Sequence, residues 1–133
     1  MQFEVMNAEA AIDIEVTPEM TARLDVDEIH ALYSTFWLAR HVELAARRVI
    51  EPHFDEGENA VGAALHIKHV DMAPVGARVR IRAWTTLVEG NLIRCNFEAH
   101  HGEVLIAHGT QDQVCLPAAK IAQRIARAYD RLD

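Results

Sequence analysis

The stretch Ser34–Ile50 reads STFWLARHVELAARRVI and decides the fold, because it predicts the clearest helix in the sequence. It is rich in helix-forming Leu, Ala, Glu and Arg, Ser34 or Thr35 can cap its first turn, and Pro52 lies just past its end. Its apolar residues recur at helical spacing, at Leu38, Val42, Ala45, Ala46 and Val49. An exposed helix would carry more charge around its circumference, so we expect this helix at the centre of the core.

Alternating apolar and polar residues predict strands on both sides of this helix. The predicted strands cover Ala10–Val16 before the helix and Val61–Val70, Ala77–Val88, Leu92–His100 and Val104–Leu116 after it. Between the first strand and the helix, Met20–Leu32 predicts only a short helical turn. Pro117 opens a second helix near the C-terminus.

This order of elements indicates an α+β protein. We expect a curved antiparallel sheet wrapped around the one long central helix, with the last four strands as a meander and a C-terminal helix outside. The length of 133 residues fits one domain, which we expect to span residues 1–133.

Composition excludes several classes of function. A net charge of −7 argues against nucleic acid as a partner, and no apolar run approaches the ~20 residues that span a bilayer. The first ten residues contain no Lys or Arg, so a secretory signal is not expected. Cys95 and Cys115 lie in apolar runs and are interpreted as buried thiols in a reducing compartment. We therefore expect a cytoplasmic protein without a membrane partner.

His69 is the first candidate for chemistry. Strict alternation places it on the apolar face of its strand with Leu65 and Ile67. The same alternation places Gly62 and His66 on the opposite face. A histidine in this position is either a core residue bonded to a carbonyl or carboxylate, or a base, donor or ligand at the edge of the core.

Glu43 and Thr35 are the other two candidates, and each has a plainer alternative. Glu43 is either a buried carboxylate that needs a partner, or an exposed residue paired with Arg47. Thr35 is either only a helix cap, or a hydroxyl beside the free amides of a helix N-terminus, where a thioester carbonyl is favoured. Two helical turns, about 12 Å, separate these two residues, so we expect them to flank one substrate. His69 would lie between them or come across a dimer interface.

The histidine spacings give no metal-binding set, so no metal site is expected. Four motifs do occur in a fixed order: TFWLARHVE at Thr35–Glu43, Gly62 in AVGAALHIKH, then His69, then Pro74–Gly76. Their order and spacing resemble the hotdog-fold thioesterase superfamily, and within it the fluoroacetyl-coenzyme A thioesterase-like family. That family carries Thr and Glu eight residues apart on the central helix and His seven residues after Gly on the next strand, as here.

The resemblance implies hydrolysis of a short or medium acyl-CoA thioester by a homodimer, or a dimer of dimers, with active sites at the interface. It implies that Thr35, Glu43 and His69 are catalytic and that Gly62 lies near the acyl thioester. Histidine would act as base or proton shuttle, glutamate as nucleophile or water activator, and threonine as a hydrogen-bonding partner. No cofactor is expected, because coenzyme A is part of the substrate.

The segment Thr17–Ser34 departs from the family, in which a longer hydrophobic lid is credited with fluorine selectivity. Here it contains no phenylalanine, so selectivity for fluoroacetyl groups is not expected. We predict that Val26, Ile29 and Phe36 contact the acyl group. A non-catalytic acyl-CoA-binding module on the same fold is the main alternative function, followed by a hydratase and by a structural dimer.

Overall fold

A computed structural model describes residues 1–25 and 27–132, and its central helix matches the predicted one. In chain order the elements are β1 (Glu9–Glu15), β2 (Thr21–Leu24), β3 (Asp27–Tyr33), α1 (Thr35–Ile50), β4 (Glu58–His69), β5 (Arg78–Glu89), β6 (Leu92–His101), β7 (Val104–Pro117) and α2 (Ala118–Asp130). Short 3₁₀ helices lie at Phe3–Asn7, Pro18–Met20 and Glu51–His53.

The helix α1 begins at a serine cap and buries its predicted stripe. The Ser34 hydroxyl accepts a hydrogen bond from the backbone N–H of Trp37 at 3.1 Å. Because Ser34 caps the helix, the hydroxyl of Thr35 is left free for other contacts. The predicted stripe is fully buried, at Leu38, Val42, Ala45, Ala46 and Val49.

Five antiparallel strands form one sheet in the order β1-β5-β6-β7-β4, and α1 packs against it. The apolar residues that alternate along β5 and β6 are buried against the helix, namely Val79, Ile81, Ala83, Ile93, Cys95, Phe97 and Ala99. A long helix wrapped in a curved antiparallel sheet, with α2 outside, is the hotdog fold. The predicted fold class is therefore confirmed.

The predicted four-strand meander is wrong for its first strand. Of the four strands after the helix, only β5, β6 and β7 follow one another as hairpins, whereas β4 lies beside β7 at the edge of the sheet. Residues 70–77 carry the chain from β4 to β5, which is too long for a tight hairpin. Val70 donates its backbone N–H to the carbonyl of Ile106 in β7, which fixes the exit of β4 at this edge.

The helical turn predicted within Met20–Leu32 is also wrong, because this segment forms the hairpin of β2 and β3. Tyr33 donates its backbone N–H to the carbonyl of Ala73 at 2.8 Å, and Leu32 forms a bridge with Pro74. These bonds to a distant loop hold β3 extended. The apolar residues of this segment fit both helical and strand spacing, so the sequence pattern could not reveal these hydrogen bonds.

A β-bulge in β4 changes which residues face the helix. The register of β4 against β7 shifts between Gly62 and Ala64, so strict alternation fails at this point. Gly62 pairs with Gln113 and Leu65 pairs with Gln111, and both glutamines point towards α1. Gly62 therefore lies on the same face as His69, and its predicted placement on the opposite face is wrong.

The C-terminal helix α2 is confirmed and lies on the outside, in contact with β4 and β7. None of its residues is buried. Among residues 1–25 and 27–132, no helix is long and apolar enough to cross a membrane.

Candidate active site

A pocket of about 390 Å³ opens where the β2–β3 hairpin meets the first turn of α1 and the end of β4. The hairpin, the helix start and the end of β4 each contribute to its lining, which comprises Ala22, His30, Leu32, Tyr33, Ser34, Thr35, His69, Val70, Asp71 and Met72. The first backbone N–H groups of α1 have no partner within the helix and carry its positive dipole end. The pocket therefore offers a favourable environment for a carbonyl oxygen that gains negative charge.

Thr35 and His69 are in direct contact in this pocket. Thr35 Oγ1 lies 3.0 Å from His69 Nδ1, which is hydrogen-bonding distance. The other ring nitrogen, Nε2, is buried and has no hydrogen-bond partner among the described residues. Burial lowers the pKa of His69 below its usual 6.5, and the nearby backbone of Asp71 opposes this shift. A neutral imidazole with one nitrogen held and the other free is suited to proton transfer at neutral pH.

Glu43 forms a second cluster two turns along α1, in contact with β4 and β7. Its carboxylate is half-buried, and Oε2 accepts a hydrogen bond from Gln111 Nε2 at 2.9 Å. A Cβ atom added at Gly62 would lie 3.2 Å from the same Oε2. Glycine at this position therefore leaves the space beside the Glu43 carboxylate free of a side chain.

The alternative role for Glu43, an ion pair with Arg47, is not what the structure shows. Arg47 Nε binds Glu51 at 2.8 Å instead. Its other guanidinium nitrogens donate to the carbonyl of Ala60 and to the side chain of Asn59. Arg47 thus ties the end of α1 to the start of β4, and Glu43 remains available for a ligand.

The two clusters lie at opposite ends of the part of β4 that faces α1. Gly62, beside Glu43, is near the start of the strand, and His69, beside Thr35, is its last residue. Within one chain the structure brings Thr35 to His69 and Glu43 to Gly62. A direct relay from Glu43 to Thr35 along the helix is absent from the hydrogen bonds of the described residues, as the spacing predicts.

The structure places two of the remaining predicted contact residues, Ile29 and Phe36, outside the pocket lining. Ile29 and Phe36 are exposed, at 49% and 71%, and neither lines the pocket. Val26 lies outside the described residues. The acyl-contact role of these three residues stays a prediction.

Sequence reasoning missed other polar groups at the site. His30 lines the pocket from β3 and was hidden by the mistaken helical turn. Tyr33 also lines the pocket; its Oη lies 2.5 Å from His41 Nδ1, and both side chains are buried. Burial raises the pKa of Tyr33 and lowers that of His41, so this pair is neutral. The spacing of eight residues between Tyr33 and His41 did not predict this contact, because Tyr33 precedes the helix.

The described part of the chain contains no group of three or more His, Cys, Asp or Glu side chains that could hold a metal ion.

The family profile for fluoroacetyl-CoA-specific thioesterases matches residues 16–119, which include both clusters. The chain belongs to this family. Its members are named as thioester hydrolases. The sequence motifs that resemble this family contain the residues of the two clusters described above. The family assignment is confirmed, whereas the acyl group is not defined by it.

Individual relatives support the same assignment. The fluoroacetyl-CoA thioesterase of Streptantibioticus cattleyicolor is 25% identical over 119 residues, covering 85% of this chain and 86% of the relative. A thioesterase superfamily member from Thermus thermophilus has a TM-score of 0.90 and 37% identity, covering 94% of this chain and 93% of its own. A variant of a fluoroacetyl-CoA thioesterase, solved with acetyl-CoA, has a TM-score of 0.82 at 22% identity, covering 92% and 97%. At that identity the last similarity shows the fold.

Proposed function

We propose that this protein hydrolyses a short or medium acyl-CoA thioester to the free acid and coenzyme A. The observation that carries the proposal is the Thr35–His69 pair at the N-terminal end of α1, in a pocket lined by both residues. The curated relative is named for hydrolysis of an acyl-CoA, and a solved neighbour binds acetyl-CoA. The hairpin over the pocket contributes Ala22, His30 and Leu32, a lining that differs from a phenylalanine lid.

The proposed reaction replaces the C–S bond at the thioester carbonyl carbon by a C–O bond. Water attacks directly, or the Glu43 carboxylate attacks first and water then hydrolyses the acyl-enzyme anhydride. In both routes a C–O bond forms, the C–S bond breaks, and the coenzyme A thiolate leaves and takes up a proton. His69 carries the transferred proton, and the N-terminus of α1 stabilises the carbonyl oxygen. The reaction needs no cofactor, because water is the co-substrate.

We also propose that the protein works as a homodimer joined through β4. This strand of 12 residues is an edge of the sheet and exposes the apolar side chains of Val61 and Leu65. A long apolar edge favours pairing with another strand. Antiparallel pairing of two β4 strands places the start of one beside the end of the other. The Glu43 cluster of one copy then approaches the Thr35–His69 pair of the second.

Two measurements test the dimer. Light scattering is expected to give at least twice the chain mass of 14.9 kDa. After unfolding and refolding together, the impaired Glu43→Gln and His69→Ala chains are expected to regain part of the wild-type activity, because a mixed dimer keeps one intact pair of clusters. A monomeric mass, or no recovery in the mixture, would contradict this arrangement.

A cytoplasmic location is part of the proposal. Cys95 and Cys115 are free and buried, and burial raises the pKa of each thiol to about 11. Buried neutral thiols suit a reducing compartment.

The proposed function is tested by thiol release from an acyl-CoA panel. Wild-type protein is expected to turn over at least one short or medium acyl-CoA. Thr35→Val keeps the shape of the side chain and removes the hydroxyl held by His69, so kcat is expected to fall about tenfold, the value of one hydrogen bond of ~1.4 kcal/mol.

Isothermal titration with the same acyl-CoA separates hydrolysis from binding alone. Tight binding without thiol release would support the non-catalytic binding module. Absence of both binding and turnover across the panel would contradict either acyl-CoA function.

A further inference from the structure

Gln111 is a buried amide whose only described partner is the carboxylate of Glu43. Its side chain lies on β7, on the face covered by α1, and is 1% exposed. Nε2 donates to Glu43 Oε2 at 2.9 Å, whereas Oε1 is buried without a partner among the described residues. A buried, unpaired amide oxygen reduces stability. If Gln111 only filled space in the core, it would lower the stability of the fold.

Gln113 shows what a structural glutamine looks like at the same face. It lies two residues further along β7 and is 3% exposed. Its Nε2 donates at 3.1 Å to the backbone carbonyl of Ala46, which ties the sheet to α1. Two glutamines of equal size thus face the same helix, but in the hydrogen bonds of the described residues only Gln111 is bonded to an ionisable side chain.

The contact between Gln111 and Glu43 restricts the orientation of the carboxylate. A hydrogen bond to a carboxylate is charge-assisted, and it removes the free rotation of that group about its last torsion. An amide N–H cannot accept a proton, so Gln111 does not compete for the proton that Glu43 handles. With Oε2 held by Gln111, Oε1 is the second carboxylate oxygen beside Gly62, 3.7 Å from where a Cβ atom added at that glycine would lie.

We propose that Gln111 is a positioning residue that holds Oε2 of Glu43, so that Oε1 is directed at the thioester or at the attacking water. This inference rests on the proposed function. It assigns to the site a third element, β7, besides the helix and the strand that carry the predicted residues.

The test is a double-substitution cycle on acyl-CoA hydrolysis. Gln111→Met keeps the length of the side chain and removes its donor, and it is expected to lower kcat by about 10- to 100-fold with KM changed less than threefold. In a Glu43→Gln background, measured at high enzyme concentration, the same substitution is expected to change kcat less than twofold, because the group it positions is gone.

Gln113→Met is the matched control. It removes an equal buried amide without touching Glu43, so it is expected to lower the thermal unfolding midpoint while kcat changes less than twofold. Gln111→Met is expected to lower that midpoint no more than the control does. Gln111→Glu, which replaces the donor by a second carboxylate, is expected to lose more kcat than the methionine variant.

The outcomes separate this inference from the proposed function. Wild-type turnover with an unchanged kcat in Gln111→Met overturns the inference alone. A loss of kcat that persists undiminished in the Glu43→Gln background also overturns it, since Gln111 would then act independently of Glu43. Absence of turnover in the wild type overturns the proposed function, and this inference with it.

Discussion

Replacing His69 by alanine is expected to lower kcat/KM for an acyl-CoA on the order of 10²- to 10⁴-fold, the usual contribution of a general acid–base residue. His69 is the titratable group that contacts Thr35, and its Nε2 is buried without a hydrogen-bond partner among the described residues. Alanine removes the proton carrier and leaves the helix N-terminus in place. Steady-state thiol release over a range of substrate concentrations measures the change.

His66→Ala is the control for this substitution. His66 lies three residues earlier on β4, is exposed, and points to the outer face of the sheet, away from α1. Its loss is expected to change kcat/KM less than twofold. Equal losses in the two variants would indicate a general effect on β4, and an unchanged rate in His69→Ala would remove His69 from the mechanism.

The pH dependence of the wild type follows from the burial of His69. Burial disfavours the charged imidazolium, so the folded-state pKa lies below 6.5 and the neutral base dominates at pH 7. If His69 is the base, kcat/KM is expected to stay constant from pH 8 down to about pH 6.5 and to fall only below it. The pH–rate profile of the wild type checks this, and His69→Ala is expected to lack that acid limb.

The same shift makes a small contribution to stability with a defined sign. Near pH 6 the unfolded chain binds more protons at this histidine than the folded chain, so the free energy of unfolding falls as pH drops below 6.5.

The sequence predicted those parts of the fold that depend on local periodicity. The stripe from Leu38 to Val49 and the alternating residues of β5 and β6 are regular patterns, and burial follows them. Periodicity gave a wrong prediction at β3, where the hydrogen bond from Tyr33 to Ala73 and the bridge between Leu32 and Pro74 hold the strand extended. The predicted strand order was wrong at β4, because the pairing of β4 with β7 joins residues that are far apart in the sequence.

The candidate site shows the same division. The motif spacing identified Thr35, Glu43 and His69, and the structure places the first and last in contact. The sequence could not predict the partner of Glu43, because Gln111 is 68 residues away in the chain and its place opposite Glu43 depends on the register of β7. The bulge that turns Gly62 towards Glu43 has no signal in an alternating run.

The edge strand β4 carries both Gly62 and His69, and its attachment to the sheet depends on Gly109 of β7. A Cβ atom added at Gly109 would lie 1.9 Å from the backbone oxygen of His66 and 3.0 Å from the Phe97 ring. The first contact is with backbone, which a rotamer change cannot relieve. Gly109→Ala is therefore expected to destabilise the protein by more than ~4 kcal/mol, within the range of severe substitutions, or to prevent folding.

Gly102→Ala separates this steric effect from the loss of a flexible residue. Gly102 lies in the β6–β7 turn with φ +59°, and nothing lies within 4 Å of an added Cβ atom, so only backbone strain of about 1 kcal/mol is expected. Urea unfolding of the wild type, Gly109→Ala and Gly102→Ala measures the steric effect and the backbone strain. The soluble yield reports a failure to fold. Similar midpoints for the two variants would contradict the steric argument. If Gly109→Ala folds, β4 must have moved away from β7, and hydrolysis is expected to be lost with it, because that movement separates Gly62 from Glu43 and His69 from Thr35.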